Sequence, residues 1–153
     1  MDAHSFIHAL RWGDLPAKIR SRAELNLLDL LGVAIGGSTT RLARIICDHA
    51  VGQFGGPHPI PFDGRPASAA GLALATGMSI DSLDGHDGYN PAKGHVGCGL
   101  FPAALALALE AGMADGTEFL TTITMGYELG SRLGPALHAS TPDYHTATQA
   151  PEV

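Results

Sequence analysis

The sequence predicts an all-α fold, a bundle-like domain of about six helices. Three observations carry that reading. Apolar residues recur at helical spacing along most of the chain, no segment alternates as a strand would, and caps or breakers fall at the ends of the periodic runs. With 153 residues the chain is long enough for one domain with its own core.

The first long helix is expected over residues 13–37, "GDLPAKIRSRAELNLLDLLGVAIGG". Asp14 is placed to cap it, and Pro16 fits the first turn, where its missing N–H costs nothing. Ile19, Ala23, Leu27, Leu31 and Ile35 form a stripe, and Lys18, Arg22 and Glu24 lie off it. Gly36 and Gly37 end the run. "TTRLARIICDHAVGQF" gives a second helix, closed by the loop "GGPHPIPFDGRP", with a short extended piece expected at residues 60–62.

"ASAAGLALATGMSIDSL" follows, a thin Ala- and Gly-rich helix whose small side chains let neighbours approach closely. "FPAALALALEAG" is another helix, with Pro102 near its first turn and Gly112 after its last. "DGTEFLTTITMGYELGSRLG" is the last clear one. Asp115 and Glu118 have capping-box spacing, and Phe119, Ile123, Tyr127 and Gly130 share a face. No internal repeat or low-complexity tract interrupts the pattern.

Composition excludes several roles. The formal net charge is −6 and no Lys/Arg run occurs, which argues against nucleic acid and against an anionic membrane surface. The start, "MDAHSFIHALRWGD", lacks the apolar stretch of a cleavable signal, and no apolar run reaches the roughly 18 residues of a span. Cys47 and Cys98 lie far apart without a CxxC, as reduced thiols of a cytoplasmic protein would, or at most one bridge. The chain is 45% hydrophobic and only 16% charged, so much of its surface is expected to meet protein.

Between two apolar helices lies "LDGHDGYNPAKGHVGCG", residues 83–99. Its residues leave three readings open. Asp84, His86, Asp87 and His95 carry oxygen and nitrogen donors for a divalent metal, although their spacing matches no compact motif such as HExxH. The stretch is equally a polar connector. Or it is a metal-free acid–base site: histidine titrates near neutrality, a carboxylate beside it fixes its tautomer, and Lys93 offers a cation to an anionic substrate. His86 and Asp87 shape the loop, and either can orient a neighbour. His4, His8, His49 and His58 read as structural or surface groups, and His138 as a cation favoured at a helix C-terminus. Tyr127 and Glu128 read as helix packing and surface.

Four segments in order resemble the MmgE/PrpD family, which includes 2-methylcitrate dehydratase and cis-aconitate decarboxylase. "DLPAKIRSRAELNLLDLLGVAIGG" is similar to the family's opening helix, and "LDGHDGYNPAKGHVG" to its Asp-rich loop ending in a histidine. "FPAALALALEAG" and "GYELGSRLGPALH" match the next two helices, and "DYHT" resembles the segment bearing a second active-site histidine. The likeness runs to Thr146. It divides the chain into a truncated helical domain, residues 1–146, and a divergent tail, residues 147–153.

The resemblance implies metal-free lyase chemistry without a cofactor, in a cytoplasmic homodimer acting on a small di- or tricarboxylate such as 2-methylcitrate. By position, Asp84, His95 and His145 correspond to catalytic residues, with Lys93 and His86 on the substrate side and no metal ligand. Two departures point away from the decarboxylase members. Gly88 stands near the position of their threonine, and an extra residue lies between Pro91 and His95, where Lys93 has no counterpart.

The family continues where this chain ends, into a lid domain with further Lys and Tyr positions. A half-present lyase site is therefore expected, with little activity alone, in a fragment, a frameshifted product or a truncated gene product. The alternatives are an isomerase, epimerase or decarboxylase branch, or an inactive helical dimerisation module.

Overall fold

A computed structural model describes residues 2–141. Six α-helices dominate it: α1 (Ala3–Ala9), α2 (Ala17–Gly37), α3 (Arg41–Gln53), α4 (Ala69–Asp81), α5 (Val96–Ala111) and α6 (Gly116–Ser140). A two-stranded antiparallel ribbon, β1 (His58–Pro59) with β2 (Pro66–Ala67), sits between α3 and α4, with His58 opposite Ala67. The fold is all-α. No single helix among the described residues is long and apolar enough to cross a membrane. Both cysteines are free thiols.

Local side chains set most of the helix starts. Thr40 Oγ1 accepts from the Ala43 N–H at 3.1 Å, Ser68 Oγ from Gly71 at 3.2 Å, and Asp115 Oδ1 from Thr117 at 2.8 Å. Each satisfies a donor that the first turn leaves free.

Three boundaries differ from the sequence reading. Asp14 does not cap α2. It lies in a 3₁₀ turn, Trp12–Asp14, where its Oδ2 accepts the Arg11 N–H at 3.0 Å, and Pro16 takes the N-cap position instead. The extended pieces flank residues 60–62 rather than contain them, because Phe62 adopts φ +64° in the turn joining β1 to β2. α5 starts at Val96, so Pro102 lies inside the helix and not in its first turn. α6 runs on to Ser140 through Pro135, beyond the clear periodic run that stops at Gly134, and places His138 in its last turn as the sequence expects.

α4 is central, packed against α2, α3 and α5, and α5 in turn packs against α6. Two apolar clusters result. One joins Leu30 and Ala34 of α2 to Ile80 of α4, Phe101 and Ala104 of α5 and Ile123 of α6. The other joins Cys47 and Ala50 of α3 to Ile60, Ala67 and Ala75. Phe101 meets Phe119 edge-on at 6.2 Å between ring centres. Leu30, Ile80 and Ile123 are fully buried, each worth about 1.5–3 kcal/mol relative to an exposed side chain. The thin α4 expected from its composition permits a direct approach of backbones: a Cβ at Gly37 would overlap the Ser79 carbonyl. The C-terminal ends of α2 and α4 thus come together and leave the chain after Asp81 to cover the start of α5.

Candidate active site

The loop between α4 and α5 is held as a compact turn. Asp84 takes the left-handed conformation, φ +48°, which a short polar side chain tolerates, and turns the chain back after α4. Tyr89 and Gly94 form an isolated antiparallel bridge around a 3₁₀ turn, Asn90–Ala92, and Lys93 closes that turn at φ +49°. His138, in the last turn of α6, ties the turn down from outside: its Nε2 donates to the Ala92 carbonyl at 2.9 Å.

His95 stands at the N-cap position of α5 and makes no capping bond with its side chain. Its ring is engaged at both nitrogens. Nδ1 donates to the Asp87 carbonyl oxygen, which can only accept, so Nδ1 carries a proton. Nε2 lies 3.1 Å from Asp84 Oδ1. That contact holds with one proton between the two atoms, as imidazolium with carboxylate or as imidazole with carboxylic acid. The Asp84 carboxyl is largely exposed, and the His95 side chain is 28% exposed, so the pair can reach a ligand.

His86 lies behind it. Its side chain is fully buried, its ring centre is 4.3 Å from that of His95, and neither of its nitrogens makes a hydrogen bond. Burial, and then the neighbouring His95 charge, lower its pKa. Asp81, His86 and Cys98 bring ligand atoms within 4.8 Å of one another. This is a different set from the four loop residues that the sequence offers as metal donors.

Asp87 works through both backbone and side chain. Its Oδ2 accepts the Gly97 N–H at 3.3 Å, which caps α5 from the far end of the loop. Its Oδ1 and the Tyr127 hydroxyl are both buried over Gly97, where a Cβ would overlap them and come within 2.8 Å of Leu30 Cδ2. Burial, and then the Asp87 carboxylate, push the Tyr127 phenol above its usual range. A cleft of about 510 Å³ between α2, the loop and α6 is lined in part by Arg22, Asp29, Asp87 and Tyr127. With two carboxylates against one guanidinium it suits a tricarboxylate poorly, and neither Asp84 nor His95 lines it.

The structure therefore brings together Asp84, His95 and His86. It leaves Lys93 exposed on the turn before His95 and buries His86 away from any ligand that His95 could meet. His145 lies outside the described residues. Sequence reasoning named Asp87 as a metal-donor candidate and as a loop former able to orient a neighbour, but not as a cap of the next helix; it treated Cys98 as a plain thiol and read His138 as a dipole partner. The signal for Asp87 was its position in a Gly-rich loop before a helix with no cap of its own. Nothing local signals the contact from His138 to Ala92.

The family model for the MmgE/PrpD N-terminal domain matches residues 2–151. A cis-aconitate decarboxylase-like protein of Aspergillus oryzae is 26% identical over 146 residues, covering 89% of this chain and 30% of that protein. The chain thus spans under a third of the length of the curated relative it matches. No solved structure matches it significantly. The helical order, the Asp84–His95 loop and the match over almost all of its length show that the chain belongs to the MmgE/PrpD family, as its N-terminal domain.

Proposed function

We propose that this chain supplies the Asp84–His95 half of a lyase site that removes water from a small di- or tricarboxylate such as 2-methylcitrate. The observation that carries the reading is the Asp84 Oδ1 to His95 Nε2 contact at 3.1 Å, with the opposite ring nitrogen fixed by the Asp87 carbonyl. Fixing Nδ1–H leaves Nε2 as the nitrogen that exchanges a proton, and Asp84 holds that proton in place.

Dehydration of a β-hydroxy acid needs a base to take the proton α to a carboxylate and an acid to protonate the leaving hydroxyl. The Asp84–His95 pair holds the proton for the second task. His145 is proposed for the first. Lys93, exposed two residues before His95, is the cation proposed to meet a substrate carboxylate. His86 packs behind His95 and sets its ring position without touching substrate. No metal or organic cofactor takes part in the proposed step. The reaction belongs to a cytoplasmic homodimer in which residues beyond this chain complete the site.

Decarboxylation is the second reading, favoured by the likeness to the cis-aconitate decarboxylase-like protein of Aspergillus oryzae. Gly88, with no hydroxyl to offer, speaks for dehydration. A full-length family member carrying this loop, incubated with 2-methylcitrate and followed by NMR, tests the choice. The expected product is the unsaturated acid with all carboxylates retained. Loss of carbon dioxide, or inversion without loss of water, would replace the dehydratase reading.

A further inference from the structure

We propose that Asp81, His86 and Cys98 form a three-ligand site for a thiophilic divalent cation, zinc by preference. The proposal stands on geometry and does not rest on the proposed reaction: neither Asp84 nor His95 is a ligand, although the His86 ring packs against His95 at 4.3 Å.

The ligand atoms lie within 4.8 Å of one another, with Asp81 Oδ1 3.9 Å from His86 Nε2. Zinc bonds of about 2.0–2.3 Å to nitrogen, oxygen and sulfur set ligand–ligand edges of roughly 3.3–3.8 Å in a tetrahedral site. A small rotation of the exposed Asp81 side chain closes that difference. The rest of the site is fixed: Asp81 is the last residue of α4, Cys98 is in the first turn of α5, and His86 is walled in between them.

His86 is the second, separate observation. Its side chain has no exposed surface and neither ring nitrogen has a hydrogen-bond partner. A buried imidazole left this way forfeits the hydrogen bonds it made in water. At 3.9 Å the Asp81 contact is too long to replace them. A metal ion on Nε2 satisfies that nitrogen directly. Burial and the neighbouring His95 disfavour a proton on the ring, so His86 is held as the neutral imidazole that ligates a metal, and Asp87, Asp81 and Asp84 act on it in the opposite sense, which favours a cation.

The donor set selects the ion. A thiolate with an imidazole suits zinc and its neighbours in the transition series, whereas magnesium and calcium prefer oxygen ligands alone. Cys98 now donates its S–H to the His95 carbonyl at 3.3 Å. On binding, the S–H bond breaks, a metal–sulfur bond forms and the proton passes to water, with no change of oxidation state. The Asp81 carboxylate, 53% exposed, provides the entry path, and the fourth coordination position stays open to water.

Metal-stripped 153-residue chain titrated with zinc by calorimetry, and with cobalt(II) by absorption, tests the site. One zinc per chain and a thiolate-to-cobalt charge-transfer band are expected. Cys98→Ser should abolish the band, and Cys47→Ser should leave it intact. His86→Gln and the exposed substitution Asp81→Asn should each weaken zinc binding by about tenfold or more. Far-UV circular dichroism checks that each variant keeps its helices, and Asp81→Asn serves if a buried variant does not fold. Absence of stoichiometric binding, a band that survives Cys98→Ser, or wild-type affinity in Asp81→Asn would overturn the proposal.

Discussion

Asp84 meets His95 Nε2 at 3.1 Å while the Asp87 carbonyl holds the far nitrogen of the same imidazole. The acid–base pair is thus aligned by backbone, and its one free coordinate is the exposed carboxylate. In a full-length relative with this loop, His95→Gln should lower turnover on the order of 10²–10⁴-fold, the usual contribution of a general acid–base group. Asp84→Asn should fall in the same range, because an amide cannot share the proton. Steady-state kinetics on the two variants check this, and wild-type rates in either would remove the assignment.

Two glycines in the first turn of α5 make a paired stability test. A Cβ at Gly97 would overlap Asp87 Oδ1 and the Tyr127 hydroxyl, whereas one at Gly99 meets nothing within 4 Å. Gly97→Ala should destabilise by about 1–3 kcal/mol, as overpacking does. Gly99→Ala should stabilise by about 0.5–1 kcal/mol, since alanine is favoured over glycine in a helix. Thermal unfolding of the two variants should shift in opposite directions.

Alkaline stability follows from buried acids. The folded-state pKa of Tyr127 is raised above its ordinary 10.0 by burial and by Asp87, so the fold favours the neutral phenol. That contribution is complete below pH 10 and is lost as pH rises toward the folded-state value. Cys98, pushed from 9.0 to about 11 by burial and nearby carboxylates, and the buried Cys47 have the same sign, so the decline starts near pH 9. Tyr127→Phe should make the decline above pH 10 shallower and leave stability at neutral pH little changed. Unfolding midpoints across pH 7–11, with a chelator present, measure it.

His138 fastens the active-site turn to α6. His138→Ala removes the bond to the Ala92 carbonyl, a loss of about 0.5–1.5 kcal/mol. Amide exchange should quicken at Ala92 and Lys93 and stay unchanged in α4. Unaltered exchange in the turn would show that the bond does not restrain it.

Self-association is expected from the outer helix faces. Leu28 of α2, Leu107 of α5 and Leu133 of α6 are each about two-thirds exposed. Apolar surface is worth roughly 25 cal/mol per Å² when removed from water, so covering several hundred Å² outweighs much of the entropy lost on pairing. Sedimentation at micromolar concentration should find a dimer, and a compact monomer would count against pairing through these faces.

The periodic runs of α2 to α6 were legible in the sequence because each helix carries its own information. Thr40, Ser68 and Asp115 cap their helices from the residue just before the first turn, and apolar stripes such as Phe119, Ile123 and Tyr127 point to one neighbour whatever that neighbour is. The loop residues Asp84 and His95 were legible through resemblance, which compares residues in order and needs no coordinates. Tertiary structure alone decided the rest. α5 begins at Val96, well before Pro102, because Asp87 reaches across the loop to the Gly97 N–H. His86 is buried rather than offered to substrate because α4 and α5 close over it, and only that closure sets Asp81 beside Cys98. Such contacts join residues through packed elements, and no local periodicity encodes them. Caps and stripes are local free energies that a sequence displays directly, while the site's geometry depends on which backbones can approach each other, as Gly37 and Gly97 permit here.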